Sequence, residues 1–145
     1  MALSDLYQEV ILDHNKNPRN KGVLDGATSH ANGHNPLCGD QVEVFLIVED
    51  GIVKRVNFDG HGCAISTASA SLMTEAVTGK TLVEVDALFK QFQAMLTANG
   101  SATFEYEQLE ALTGVKEFPM RVKCATLAWH TLHAAIENTP EVTTE

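Results

Sequence analysis

The stretch Val42-Glu43-Val44-Phe45-Leu46-Ile47-Val48, Glu49-Asp50-Gly51, Ile52-Val53-Lys54-Arg55-Val56-Asn57-Phe58 decides the fold. Two runs rich in β-branched and aromatic residues flank an Asp-Gly step, the pair that tolerates the positive φ angles of a tight turn. This reads as an antiparallel hairpin. A further strand is expected near Ala27–Gly33, before the hairpin. Outward from the sheet the period changes to that of helices. Ser4 caps a first helix to about His14, with Leu6, Val10 and Ile11 on one face and Asn17-Pro18 ending it. Ser66–Val77, rich in Ala, Met and Leu, reads as a helix stopped by Gly79. Another is expected from Thr81 or Leu82 to Leu96, facing inward through Val85, Leu88, Phe89, Phe92 and Leu96. A short helix over Tyr106–Leu112 follows, then a last helix opened by Pro119 and packed through Val122, Ala125, Trp129, Leu132 and Ile136. The fold class is therefore α+β: a small antiparallel sheet of about three strands, one N-terminal helix and several C-terminal helices. At 145 residues the chain fits a single domain, 1–145, with residues 138–145 expected to fray.

Ten Lys and Arg against nineteen Asp and Glu give a formal net charge of -9. Such a chain carries no basic stripe for a phosphate backbone, so nucleic acid is not expected as a partner. The amino terminus lacks a basic region followed by an apolar one, and no stretch approaches the ~20 apolar residues of a membrane span. A cytoplasmic protein without a membrane partner is expected. Three cysteines in a reducing compartment make a disulfide framework improbable and leave metal-binding, reactive or buried thiols.

Those cysteines lie in telling contexts. Cys38 sits in Asn35-Pro36-Leu37-Cys38-Gly39-Asp40, Cys63 in Gly60-His61-Gly62-Cys63, and Cys124 shortly after Phe118-Pro119. Glycine lets the backbone bend so that a neighbouring thiol leaves a strand end and points away from the core. Cys63 also immediately precedes a predicted helix, whose unpaired amides favour a thiolate. With Asp40, the three thiols could fill a tetrahedral zinc shell, its negative charge partly offset by Arg121 and Lys123. No C-x-x-C pair is present, so residue types alone leave two alternatives open: one shared site, or three unrelated buried cysteines. His61 reads as a solvated loop histidine that could also line such a site. His30 and His34 decorate a strand or loop, and at least one of His130 and His133 faces solvent. The alternation Ser66-Thr67-Ala68-Ser69-Ala70-Ser71 reads as close helix packing. Phosphate-loop, H-E-x-x-H and G-x-S-x-G signatures are absent from the sequence.

Four ordered motifs carry a family resemblance: Asp13-His14-Asn15-Lys16-Asn17-Pro18-Arg19-Asn20, Asn35-Pro36-Leu37-Cys38-Gly39-Asp40, Gly60-His61-Gly62-Cys63-Ala64-Ile65-Ser66 and Lys123-Cys124-Ala125-Thr126-Leu127-Ala128-Trp129. Together they resemble the IscU/SufU (NifU N-terminal-like) family of iron-sulfur cluster assembly proteins, from Leu6 to about Ile136. The resemblance implies a SufE/IscU-like α+β fold and one metal site made of Cys38, Asp40, Cys63 and Cys124. It also implies a cysteine desulfurase partner delivering persulfide sulfur, and downstream iron-sulfur scaffold or carrier proteins. The scaffold branch usually has His before the third cysteine and an L-P-P-V-K motif upstream, where this chain has Lys123 and Glu117-Phe118-Pro119-Met120-Arg121. The region Thr97–Lys116 is similar to an insertion typical of the SufU branch. The resemblance thus favours a Zn2+-dependent sulfurtransferase with Cys38 as sulfur acceptor and Arg121 as a helper. Its alternative is a scaffold on which Cys38, Cys63 and Cys124 hold Fe2+ or a transient [2Fe–2S] cluster.

Overall fold

The computed structural model describes residues 3–37, 39–97 and 106–143, without the side chains of residues 3–7 and 107. In chain order the elements are α1 (Leu3–Lys16), β1 (Ser29–Asn35), β2 (Asp40–Glu49), β3 (Ile52–His61), α2 (Ala64–Val77), α3 (Leu82–Thr97), a 3-10 helix (Glu107–Val115), α4 (Pro119–Ile136) and β4 (Glu141–Thr143). The sheet order is β3-β2-β1-β4, with β1, β2 and β3 antiparallel and β4 parallel to β1. The architecture is α+β, but the sheet is mixed and four-stranded where three antiparallel strands are expected from sequence. The fourth strand also corrects the frayed tail: Glu141–Thr143 pairs with Asn32–His34, and Asn32 N–H donates to Pro140 C=O at 2.8 Å. Expected helix 106–112 is the 3-10 helix, shifted toward the chain's C-terminus. Among the described residues no helix is long and apolar enough to cross a membrane.

Asp50 (φ 54°) and Gly51 (φ 73°) form the hairpin tip, both in the left-handed region that this two-residue turn requires. Alternation along β2 turns Val42, Val44 and Leu46 into the core. A bulge between Ile47 and Val48 shifts the register by one residue, and the ladder then runs to Gln41 opposite His61. The outer border of β3 is tied to connecting segments. Phe58 N–H donates to Asn20 C=O and Gly22 N–H to Phe58 C=O, while Gly79 N–H donates to Val53 C=O and Val53 N–H to Lys80 C=O.

The inner face of the sheet is covered by α2 and α4, and α1 and the 3-10 helix lie against α2. Ten of the fourteen α2 residues are buried, and four of these are Ser or Thr, so small side chains let it run through the middle of the molecule. Gly33 makes the same allowance on β1, since a Cβ there would collide with Thr131 Oγ1 of α4. Trp129 anchors the helical layer, stacking on Phe92 of α3 with centroids 4.4 Å apart and planes 17° from parallel. Buried His14 joins three helices: its Nδ1 meets Ser71 Oγ at 2.7 Å and its Nε2 meets Gln108 Oε1 at 2.9 Å. Arg19 N–H also donates to Ser71 Oγ, which leaves the serine proton for Nδ1 and the ring proton on Nε2 for Gln108.

Candidate metal centre

The hairpin register places the start of β2 beside the end of β3. Gln41 pairs with His61, so Asp40 faces the Gly62-Cys63 step across 23 positions of sequence. Cys63 is the N-cap residue of α2, and its Sγ accepts from Ser66 N–H at 3.4 Å, satisfying one of the open amides of the first helical turn. The Asp40 carboxylate spans the gap. Oδ1 accepts from Cys63 N–H at 2.9 Å, and Oδ2 accepts from the Cys63 thiol at 3.7 Å.

Cys124 arrives from α4. It lies in the second turn after Pro119, in the interior of a regular helix and not at a bend, and it is buried. Among the described residues, Asp40, Cys63 and Cys124 form a converging donor group, with ligand atoms all within 4.8 Å of one another. Asp40 and Cys124 are buried and Cys63 is exposed, so the group opens to solvent on one side.

Two glycines shape the cradle in different ways. Gly60 has φ 125°, and a Cβ there would collide with the Gln41 carbonyl, so both conformation and space demand glycine. Gly62 lies outside the left-handed region, yet a Cβ there would come within 2.8 Å of Asp40 Oδ1. The sequence reading assigns Gly62 a bending role; its contribution here is clearance. Gly39 (φ 75°) supplies the bend ahead of Asp40, with its N–H donating to Asn35 C=O at 2.9 Å.

The Cys63–Asp40 pair is spaced as two ligands of a tetrahedral metal, and Cys124 lies within 4.8 Å of both. For metal–ligand lengths of ~2.3 Å to sulfur and ~2.0 Å to oxygen, sulfur and oxygen ligands stand about 3.5 Å apart. The observed Cys63 Sγ to Asp40 Oδ2 distance is 3.7 Å. A divalent cation between the two groups would hold a thiolate and a carboxylate at nearly the same separation.

Cys38 lies outside the described residues, as does residue 98–105 of the expected insertion. The residues on either side of Cys38, Leu37 and Gly39, are exposed. Arg121 is exposed on the first turn of α4, its guanidinium 4.5 Å from the Phe118 ring centroid. His61 is exposed at the end of β3 and is not part of the converging group. His30 and His34 are exposed on β1. His133 reaches Glu137 at 3.2 Å, while His130 packs edge-on to Phe89, where burial and nearby His133 lower its pKa.

Beside the centre, Gln8, Ile11, Leu12, Ile65, Val115 and Arg121 line an open groove of about 500 Å³. Exposed Leu12, Leu37, Phe118 and Met120 add apolar surface on the neighbouring segments. Sequence reasoning missed the roles of two backbone amides, those of Cys63 and Ser66, because backbone donors leave no residue-type signal. It also read Ser69 as packing alone.

Comparison with known proteins follows the same lines. Residues 6–145 match the family described as NifU-like N terminal domain. The chain is 42% identical over 135 residues to a Bacillus subtilis protein named zinc-dependent sulfurtransferase SufU, covering 92% of this chain and 91% of the relative. It is 38% identical over 137 residues to a Thermotoga maritima protein named iron-sulfur cluster assembly scaffold protein IscU, covering 94% and 96%. Among solved structures, a SufU-type scaffold protein from Fervidobacterium islandicum superposes with a TM-score of 0.84 at 33% identity, covering 93% of this chain and 99% of that one.

Proposed function

The chain belongs to the NifU-like N-terminal domain family, and on that footing we propose that it works in iron-sulfur cluster assembly as a zinc-dependent acceptor of sulfur from a cysteine desulfurase. The observation that carries this reading is the convergence of Asp40, Cys63 and Cys124. We assign Cys38, two residues before Asp40 in sequence, as the fourth ligand and the sulfur acceptor. When bound, zinc would keep its thiol ligands deprotonated at neutral pH.

The transfer itself is thiol–disulfide chemistry. The Cys38 thiolate attacks the outer sulfur of the desulfurase persulfide, a new sulfur–sulfur bond forms, and the old one breaks. The desulfurase cysteine leaves as thiolate and Cys38 carries the persulfide. Asp40 remains oriented throughout by the Cys63 amide, and Arg121 offers an exposed cation to the anionic sulfurs as the partner approaches. The apolar groove beside the centre supplies surface for that encounter.

A scaffold role is the second reading, with the three cysteines holding a transient [2Fe–2S] cluster. Lys123, where the scaffold branch has histidine, and Glu117-Phe118-Pro119-Met120-Arg121, where it has L-P-P-V-K, favour the zinc reading. Metal analysis of protein purified without added metal is expected to give about one zinc per chain, lost in Cys63→Ser and Asp40→Ala. With labelled persulfide on the desulfurase, label is expected on the wild type and not on Cys38→Ser. Iron-reconstituted protein that keeps a stable cluster and passes it on, with no sulfur turnover in the zinc form, would overturn the transferase reading in favour of the scaffold.

A further inference from the structure

We propose that Ser69 is a positioning residue for the metal centre, a clamp that fixes α4 against α2 and so sets the spacing of Cys63 and Cys124. The inference rests on the metal reading above and adds to it a determinant that touches none of the ligands.

Each of the two thiols is fixed to the start of a different helix: Cys63 caps α2 and Cys124 occupies the second turn of α4. Their separation is therefore decided by how far one helix slides or rolls over the other. A slide of one residue is ~1.5 Å, while sulfur ligands of a tetrahedral zinc stand about 3.8 Å apart. Such a slide is a large fraction of the ligand spacing, so the packing of the two helices decides how closely the thiols approach it.

Ser69 makes two bonds across this interface, and they fix different coordinates. Its hydroxyl donates to the Ala125 carbonyl at 2.5 Å, one residue beyond Cys124, which sets the position of α4 along its axis. Its oxygen accepts from Trp129 Nε1–H at 3.2 Å, one turn further on, which sets the roll. Ser69, Ala125 and Trp129 are all fully buried, so no water competes for these groups. Trp129 is itself wedged against Phe92, so the clamp is referred to α3 as well. Without the hydroxyl, the indole N–H would be buried with nothing to receive it, and α4 would shift to relieve it.

Cobalt(II) is a suitable probe, because its visible bands report tetrahedral geometry and its ultraviolet charge-transfer bands report thiolate ligands. Ser69→Ala is expected to lose about tenfold in cobalt affinity, in the range of other residues that orient ligands, and to show weaker visible bands per bound ion. Trp129→Phe, which keeps the ring stack and the Ser69–Ala125 bond, should lose about threefold. Val53→Ala, a core substitution at the hairpin end of the sheet, serves as the comparison for general destabilisation and should leave both affinity and spectrum unchanged. If Ser69→Ala loses no more affinity than Val53→Ala, or binds cobalt with a wild-type spectrum, the clamp is refuted. If Ser69→Ala does not fold, Trp129→Phe decides, and wild-type affinity in that variant overturns the proposal. Failure of the wild type to bind cobalt at all would refute the underlying metal reading.

Discussion

Gly62→Ala is a direct way to move the Asp40 carboxylate without touching any ligand. A Cβ at position 62 would lie 2.8 Å from Asp40 Oδ1 and 3.2 Å from Ser66 Cβ, whereas ordinary contact begins at about 3.4 Å. The carboxylate must therefore retreat by about 0.6 Å. Oδ1 now sits 2.9 Å from Cys63 N, so a retreat of that size takes the bond to the edge of hydrogen-bonding range. A hydrogen bond to a charged acceptor contributes about 1.5–3 kcal/mol. With half of that lost, metal affinity should fall by roughly three- to tenfold at ~1.4 kcal/mol per decade. The fold should be spared, because Gly62 does not require a left-handed conformation and Gly→Ala at a compatible site adds ~0.4–1 kcal/mol through the unfolded chain. The assay pairs a chelator-competition titration with thermal unfolding of the metal-free protein. Affinity within twofold of wild type would refute the reasoning. So would a large drop in melting temperature, since that would place the strain in the backbone and not on the carboxylate.

The metal-free protein should lose stability as pH falls below about 6.5. Burial lowers the pKa of His14 and of His130, with Arg19 adding to the effect at His14 and its Gln108 bond opposing it. Protons therefore bind the unfolded chain more readily, stability is fully present above the unfolded value, and it declines toward the folded one. Denaturant unfolding at a series of pH values should show this slope, reduced in His14→Gln; an unchanged slope in that variant would exclude His14 as a source. Separately, Gly33→Ala should cost about 1–3 kcal/mol by driving a methyl group into Thr131 and to within 3.3 Å of Leu127 Cδ1, lifting α4 from β1. An urea midpoint equal to that of wild type would show that the helix yields without loss.

Much of the arrangement is legible before any coordinates. Asp50-Gly51 centres the hairpin, and counting outward from it brings Asp40 opposite Gly62 once one bulge is allowed. Half of the candidate centre thus follows from turn chemistry and strand period. Cys124 is different: its distance from Cys63 depends on how α2 and α4 pack, and no local pattern encodes the bonds of Ser69 to Ala125 and Trp129. The Ala-Ser alternation indicates close helix approach but does not say which serine bonds across the interface. β4 is invisible for another reason. Glu141-Val142-Thr143 has little apolar alternation, and its pairing is made by backbone groups that every residue possesses. The helix over 106–112 differs from the observed 3-10 helix by a few residues because short helices lack the turns over which periodicity becomes readable.

The connections tied to the border of β3 bear on how the protein meets other chains. An exposed strand edge is a template for any extended peptide, including another copy of the same molecule. Here Asn20–Gly22 and Gly79–Lys80 engage one border of β3, and Pro140–Thr143 engages part of β1. Strand addition is blocked along the covered border of β3, and on the other side the edge is reduced to the three residues of β4. Beyond the strand borders, a visiting protein would meet side chains: an exposed thiol, an arginine and apolar residues around the groove lined by Ile11, Leu12, Ile65 and Arg121. Selectivity there rests on surface shape and charge, which discriminate among partners more finely than backbone pairing does.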